Sequence, residues 1–503
     1  MYSPDSGTNN GPHNDANQGN NMLMRTASQP LKEQLAARFA ERIKSQLLAP
    51  GARLPSVRLC AQQQGVSVST VVAAYDQLQA QGLAVARKNR GFYVRDGFVP
   101  INESNRAVAH ILRAQAAPEN IANNRLNAGR PIDATALLRG MFERGSHKPQ
   151  PGMGVFPPDW LDTPFLQTAV RKFTGAAALR QATLSYGDPK GDVSLRNALS
   201  QKLGALNVLA SPSQIITTIG ATHALDMVSR TLLKAGDAVM VEEPGWSVEF
   251  ARLSALGMRI LPVPRHADGP DLDVMAHYCK LHAPKLFVSV SVFHNPTGFC
   301  ISPGRAHRVL QLANAHDFYV CEDDTYSHLA PEHATRLCAL DGLQRTIYVS
   351  GFAKILAPGW RVGFLAAPVA LVERLESTKL LTTLTTPALL EQALAWCIDQ
   401  GQLRRHAERI RMRLGQARAR SVKLAISHGC TFAAAPAGLF GWVDTGVDTD
   451  ALAGRLLDEG YLIAPGALFY AQRAPSQMMR INFATTQDAA FWHVFSRLQK
   501  AAL

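Results

Sequence analysis

Several polar side chains stand where an amine could meet an aldehyde. Lys354 closes the run Ser350-Gly351-Phe352-Ala353-Lys354, among small residues that leave room for a ligand. Such a lysine forms a Schiff base with an aldehyde once its surroundings lower its pKa enough to free the amine. Asp323, in Asp323-Asp324-Thr325-Tyr326, is the kind of carboxylate that keeps an aromatic ring nitrogen protonated in a dry site. Arg361 follows Lys354 by seven residues, and Thr222 sits at an expected helix start behind Gly220. A guanidinium, helix-start N–H groups and a hydroxyl together suit a phosphate. Trp246 offers a face for stacking on a flat ring, and Asn295 a donor for a ring hydroxyl. Arg480 lies in the apolar stretch Met478-Met479-Arg480-Ile481-Asn482-Phe483, where an unpaired charge is costly. It calls for a carboxylate, which a substrate can supply. Taken singly, each has a duller reading: a surface lysine, a turn asparagine, a core tryptophan, a surface arginine.

The elements around these residues favour the joint reading. Short apolar runs at Ile215 to Ile219, Ala238 to Val241, Lys285 to Val292, Phe318 to Cys321 and Thr346 to Val349 alternate with helical stretches. That alternation predicts an α/β fold with a largely parallel sheet covered on both faces. Gly220-Ala221-Thr222, Glu243-Pro244-Gly245-Trp246, His294-Asn295-Pro296-Thr297-Gly298, the Asp323 cluster and Lys354 follow the five runs in order. Ligands of open α/β sheets sit outside the carboxyl ends of strands, so five clusters at five such ends point to one pocket.

The chain begins differently. Residues 1–30 are rich in Asn, Gly and Ser with few aliphatic side chains, and read as a flexible tail. From Leu31 an apolar residue recurs every four positions through Leu35, Phe39, Ile43 and Leu47, one face of a helix that Pro50-Gly51 ends. Ser56 is placed to cap a second helix to about Gln64, Gly65 to turn the chain, and Ser67 to cap a third carrying Val71, Val72, Tyr75 and Leu78 on one face. Leu83 to Ala86 and Phe92 to Arg95 read as strands joined by the basic loop Lys88-Asn89-Arg90-Gly91. Three helices and a basic-tipped hairpin describe a winged helix-turn-helix over residues 31–97. Residues 98–150 lack a sustained period and read as a linker, and 151–503 as the large α/β domain.

The charge follows the same division. Of the net +13 on 503 residues, +6 falls within residues 31–97, which suits an anionic partner such as DNA. Composition, 47% hydrophobic and 18% charged, is that of a globular chain. No apolar run is long enough to span a bilayer and no leader precedes the tail, so a cytoplasmic protein with no membrane partner is expected. Seven scattered cysteines, none closely paired, suggest buried free thiols rather than disulfides or a zinc site, and no metal is expected.

The run from Ser350 to Gly363 (Ser-Gly-Phe-Ala-Lys-Ile-Leu-Ala-Pro-Gly-Trp-Arg-Val-Gly), with His294 to Gly298 and Tyr186-Gly187-Asp188-Pro189-Lys190-Gly191, resembles the fold type I, class I aminotransferases. With Pro50 to Arg58 and Gly65 to Val71 ahead of it, the chain resembles the MocR-type branch of the GntR transcription regulators, over residues 31–97 and 151–503. The resemblance implies that residues 151–503 form a large, mostly parallel sheet domain with a smaller C-terminal α/β subdomain, and that pyridoxal 5'-phosphate (PLP) sits on Lys354, with Asp323 on the pyridine nitrogen, Asn295 and Tyr326 at the ring oxygen and Trp246 stacked on the ring. The Ala221 backbone, Thr222 and Arg361 would hold the phosphate, joined by Tyr186 from the other subunit of a homodimer. Arg480 would bind an amino acid's carboxylate. One departure stands out: the family places serines where this chain has Ala353 and Gly351, so two phosphate hydroxyls are missing, and Ser350 is displaced by one residue.

On the DNA side the resemblance implies that the second helix of the motif enters the major groove, with Arg58, Ser67, Ser69, Thr70, Arg90 and Gly91 at contacting positions. Val68 stands where relatives carry arginine, which replaces a base-reading hydrogen bond by possible contact with a thymine methyl. Three functions remain in view. The expected one is a regulator of a double-stranded operator whose aminotransferase-like domain senses PLP, an amino acid, or both, without turnover. The others are an active PLP-dependent aminotransferase carrying a DNA-binding module, and a binding protein whose helix-turn-helix serves only assembly.

Overall fold

A computed structural model of the chain describes residues 30–44, 48, 51–87, 90–95, 135, 139, 148, 150–175, 179–180 and 184–501. The expected tail over 1–30 and linker over 98–150 fall almost wholly outside these residues, as do Leu47, Pro50, Lys88 and Asn89. Two compact units divide the chain, one within Met1–Asn124 and the other within Arg125–Leu503.

The first unit holds α1 (Leu31–Lys44), α2 (Val57–Gln64), α3 (Val68–Ala80), β1 (Ala84–Arg87) and β2 (Gly91–Val94). Ser56 caps α2 by accepting the Leu59 N–H, and Gly65, at φ 64°, ends it in the left-handed region that glycine favours. Ser67 caps α3 by accepting the Thr70 N–H, a contact worth about 1 kcal/mol. Leu35, Phe39 and Ile43 of α1 pack with Val71, Ala74, Tyr75 and Leu78 of α3 in one small core. Tyr75 meets Phe39 and Phe92 edge-on and donates its hydroxyl to the Pro55 carbonyl. Val72, expected on this face, is 39% exposed. The position one helical turn before Leu78 belongs to Ala74, whose small side chain lets α1 approach. The strands are antiparallel, Ala84 opposite Val94 and Arg87 opposite Gly91.

The second unit is built on an eight-stranded mixed sheet. Its strands are β3 (Ile215–Ile219), β4 (Ala238–Glu243), β5 (Arg259–His266), β6 (Gly269–Pro270), β7 (Leu286–Ser289), β8 (Tyr319–Asp323), β9 (Thr346–Gly351) and β10 (Val362–Ala366), in the spatial order β3-β10-β9-β8-β7-β4-β5-β6. Alternate residues of β4 enter different cores: Val239 and Val241 face one layer, Ala238 and Met240 the other. Cover on both faces is why these strands read as unbroken apolar runs. β4, β5, β7, β8 and β9 pair in parallel. The sheet is thus largely parallel, as expected, with two exceptions: β10 runs antiparallel between β3 and β9, and β6 pairs antiparallel with β5. β7 also stops at Ser289, short of the apolar run, since the Val290 N–H is taken by the Glu242 carboxylate instead of a neighbouring strand.

A second, antiparallel sheet follows, with β11 (Thr431–Phe432), β12 (Phe440–Asp444), β13 (Ala464–Pro465) and β14 (Met478–Asn482) in the order β11-β12-β14-β13. The Gln402–Ser427, Thr449–Asp458 and Ala489–Lys500 helices accompany it. Among the described residues no helix is long and apolar enough to cross a membrane.

Candidate functional site

β3, β4, β7, β8 and β9 point the same way, and antiparallel β10 begins where they end. Gly351, the last residue of β9, is followed by a turn in which the Phe352 N–H bonds the Val362 carbonyl, closing a hairpin that carries Lys354 and Arg361. Lys354 Nζ donates to the Gly154 carbonyl at 2.7 Å. Burial lowers its pKa to about 8; the Arg480 charge lowers it further, while Asp323 pulls upward. At such a pKa about a tenth of the amine is free at pH 7 and about half at pH 8, which makes Lys354 a nucleophile.

Asp323 ends β8 and is buried. Its carboxylate accepts the Thr325 N–H at 3.0 Å and the Thr325 hydroxyl, so its orientation is fixed from its own chain. Burial nevertheless pushes its pKa up to about 6. It lines a cavity with Trp246, Leu225, Val241, Val288 and His294.

Arg480 enters the same region from β14, nearly fully buried. It donates to Asn295 Oδ1 at 2.8 Å and to the Gly152 carbonyl at 2.5 Å, and lies over the rings of Phe440 and Phe469. Its Nε has no partner although buried. No carboxylate lies within ion-pair distance of it among the described residues. Burial lowers its pKa to about 10. Tyr326, buried next to it, bonds the Asn295 side chain, and burial raises its phenol pKa. A Cβ on Gly154 would lie 3.6 Å from Lys354 Nζ and 3.9 Å from the Arg480 guanidinium. Gly154 therefore marks the space between the two cations.

The Gly220–Leu232 helix begins directly after β3. Arg361, at φ 54°, folds over that start: its guanidinium donates to the Ile219 carbonyl, and a Cβ on Gly220 would sit 2.5 Å from it. Ala221 is half-buried and Thr222 exposed beside it. Tyr186 is 82% exposed and touches none of these groups within its own chain.

Sequence reasoning missed three contributors. Gly154 gives only its carbonyl, which leaves no side-chain signal. Thr325 is recognisable as the residue two beyond an aspartate, a spacing that favours a local side-chain hydrogen bond. His294 opens the Asn295 cluster; its Nδ1 meets the Thr297 hydroxyl at 2.9 Å and its Nε2 lies 3.5 Å from Glu242. Burial holds it neutral, well below the usual histidine range. Glu242 also takes Arg265, the Ser289 hydroxyl and the Val290 N–H, so one buried carboxylate ties three strands behind the cavity.

In the first unit, Arg58, Val68, Ser69, Arg90 and Gly91 are exposed and Thr70 is half-buried. The Ser67 hydroxyl is engaged with those of Ser69 and Thr70 as well as with the Thr70 N–H, a polar cluster at the start of α3.

Residues 160–498 match the aminotransferase class I and II family. The chain belongs to that family. Residues 31–94 match the gntR family of bacterial regulatory proteins, so a GntR-type helix-turn-helix precedes the aminotransferase-like domain. The pairing recurs in relatives. The uncharacterized HTH-type transcriptional regulator YisV of Bacillus subtilis is 26% identical over 478 residues, 92% of this chain and 94% of its own. The probable rhizopine catabolism regulatory protein MocR of Rhizobium meliloti is 29% identical over 78% of this chain and 76% of its own. Among solved structures, a kynurenine aminotransferase of Pyrococcus horikoshii, in complex with PMP, matches with a TM-score of 0.66 and 26% identity, over 76% of this chain and 96% of that one. The aminotransferase-like domain thus has the fold of catalytic transaminases, whereas full-length likeness is to regulators.

Proposed function

We propose that the protein is a cytoplasmic, homodimeric transcription regulator that reads a double-stranded operator through its GntR module and senses PLP, an amino acid, or both through its aminotransferase-like domain. The observation that carries the sensor reading is the meeting of Lys354, Asp323 and Arg480 in one buried region, each with its pKa displaced by burial. Perturbed titratable groups converging beside a cavity are what a functional site presents.

The residues fit PLP. Arg361 and the N–H groups of Ala221 and Thr222 form a positive cradle at a helix start, where a phosphate is favoured. Trp246 and Asp323 line the adjoining cavity, and the Lys354 amine is depressed to about 8. When bound, the cofactor supplies an aldehyde to link to amines and a ring that withdraws electrons from them. Lys354 contributes the free amine, with the Gly154 carbonyl orienting it. Asp323, fixed by Thr325, would hold a proton at the ring nitrogen, while Asn295 and Tyr326, which bond each other, would donate at the ring oxygen. Arg480, with its unpartnered Nε, offers an amino-acid carboxylate a charged site whose desolvation is already incurred. Tyr186, exposed on its own subunit, would reach the partner's phosphate.

At the GntR module, Ser67 caps the reading helix, and Val68, Ser69, Thr70, Arg58, Arg90 and Gly91 meet the DNA. A second reading, an active aminotransferase with a DNA-binding module, is favoured by the presence of Lys354, Asp323 and Arg480 together. Operator affinity at fixed salt, with and without PLP and candidate amino acids, tests the sensor. Parent protein should respond by roughly 5- to 150-fold, the usual range of allosteric coupling, and Lys354→Ala should not respond. A Lys354→Ala variant that responds like the parent overturns it. Steady transamination across a panel of amino and keto acids would establish the second reading instead.

A further inference from the structure

The positive charge of this chain is concentrated in two places. The winged module, residues 31–97, carries +6 of the net +13. The Gln402–Ser427 helix carries the other +7, with seven arginines and one lysine against the single acid Glu408. Everything else in the chain nets to zero. The first concentration has an assigned partner; the second lies in the aminotransferase-like domain, and among the described residues none of its cations bonds Lys354, Asp323 or Arg480.

Five of these cations share one face. At 100° per residue, Arg405, Arg409, Arg413, Arg420 and Lys423 fall within a sector of about 80°, turned away from the buried stripe of Leu403, Ile410, Leu414, Ala417 and Ala425. All five are exposed. Arg413 pairs with Asp159 at 2.5 Å, whereas Arg405 and Arg409 reach only the Gln400 and Asp162 carbonyls, and Arg409 also His406. Arg420 and Lys423 have no acidic partner among the described residues. Like charges spaced three or four residues apart destabilise a helix. Arg405, Arg409 and Arg413 are spaced by four, Arg420 and Lys423 by three, so the face carries a standing repulsion that a polyanion would relieve.

We propose that this face is a second DNA-contacting surface, which grips the phosphate backbone without reading bases. The proposal rests on the reading of the chain as a DNA-binding regulator. Charge complementarity selects the occupant: Arg405 to Lys423 spans about 27 Å along the helix axis, matching about eight phosphate steps of one DNA strand at roughly 3.4 Å each. The apolar content of the face is low, with Met412 and Gln416 between the cations, which suits a hydrated polyanion better than a protein partner.

The test compares full-length parent with the quadruple variant Arg405→Gln, Arg409→Gln, Arg420→Gln, Lys423→Gln, and with the control Arg404→Gln, whose side chain lies off this face and pairs with Glu408. Affinity for mixed-sequence duplexes of roughly two and roughly four helical turns is measured across a salt series. The quadruple variant should lose about 2 to 4 from the log–log salt slope, near 0.9 per phosphate contact, and lose the parent's preference for the longer duplex; the control should keep both. Unchanged melting and PLP titration show that the fold is intact. Should the quadruple variant not fold, Arg420→Gln and Lys423→Gln alone should each remove about 0.9 from the slope. Parent-like slopes in the folded variants overturn the proposal. It is equally overturned if parent, but not variant, binds phosphatidylserine vesicles while their DNA slopes agree. Arg58→Ala separates the two readings: if it weakens DNA binding and the quadruple change does not, only the second surface falls; if neither does, the DNA-binding reading falls.

Discussion

The Ser350 hydroxyl donates to the Asp324 carbonyl at 2.9 Å and so stitches the end of β8, which carries Asp323, to the end of β9, which leads to Lys354. The spacing between the carboxylate and the amine is thereby held by a buried side-chain bond in addition to the backbone ladder. It also decides the role of the displaced serine: its hydroxyl is committed to the protein and is not offered to a phosphate.

Ser350→Ala should therefore cost about 1 kcal/mol of stability, with the Asp324 carbonyl left to the Ser327 N–H alone. PLP affinity should fall by about fivefold if that loss is felt fully at the site. Thermal melting and a fluorescence titration with PLP check both; an unchanged titration would show that the ladder alone sets the spacing.

Two pH effects of opposite sign follow from Asp323 and Lys354. Asp323 has its folded pKa raised from 3.8 to about 6, so the folded state holds the extra proton and stability falls as pH rises from about 4 to 6. Asp324, also raised to about 6 by burial, acts in the same window. Asp323→Asn should flatten the dependence of melting temperature over that range without abolishing it. Lys354 has its pKa lowered from 10.5 to about 8, so stability rises from about pH 8 to 10.5. The rate at which the cofactor-free protein captures PLP, trapped with borohydride and mapped to Lys354, should rise through about pH 8 and level off above it.

Arg480→Ala should spare PLP capture by Lys354 while removing the response to amino acids. It leaves the Gly152 carbonyl and Asn295 without a buried donor, at about 1–3 kcal/mol. Titration of the PLP-loaded protein with amino acids, followed by absorbance, reads the outcome; an undiminished response would place the carboxylate elsewhere.

At the GntR module, Arg58→Ala should weaken operator binding more than Lys32→Ala, because Arg58 is exposed in the first turn of α2, beside its Ser56 cap, within the helix-turn-helix, whereas Lys32 lies in α1 outside it. Ser67→Ala should cost about 1 kcal/mol by uncapping α3. Equal operator affinity of Arg58→Ala and the parent would remove α2 and α3 from the DNA interface.

Gly363→Ala should cost about 1–3 kcal/mol through overpacking and should abolish tight PLP binding. A Cβ there would lie 2.4 Å from the Gly220 backbone, which must shift and carry the helix start with it. Melting and PLP titration of the variant supply the measurement.

Much of this was legible in the residues. Ser56, Gly65 and Ser67 announce helix ends by local chemistry, and β3 spans the apolar run itself, Ile215–Ile219. The five strand-end clusters lie along one edge of the sheet, as expected, because the strands that carry them run in one direction. What stayed hidden is non-local. Nothing in Val362–Ala366 tells that it pairs antiparallel with two neighbours, since strand direction is set by partners far along the chain. Nor could the Gly154 carbonyl be anticipated, being 200 residues from the lysine that it meets. Val72 failed for a subtler reason: a stripe of period three to four admits either Val72 or Ala74, and close packing against α1 chose the smaller.

The hairpin that joins β9 to antiparallel β10 places Lys354 and Arg361 on one unbroken stretch of chain. On the proposed function it is a ruler. One end meets the aldehyde and the other the phosphate, so the distance between them is graduated by loop length rather than by the docking of separate elements. Inserting or deleting one residue between Lys354 and Arg361 would recalibrate that ruler while leaving every strand in place. Homologous chains would then tolerate changes of sequence within the loop far better than changes in its length, and pyridoxal, which lacks the phosphate, would engage only one of its marks.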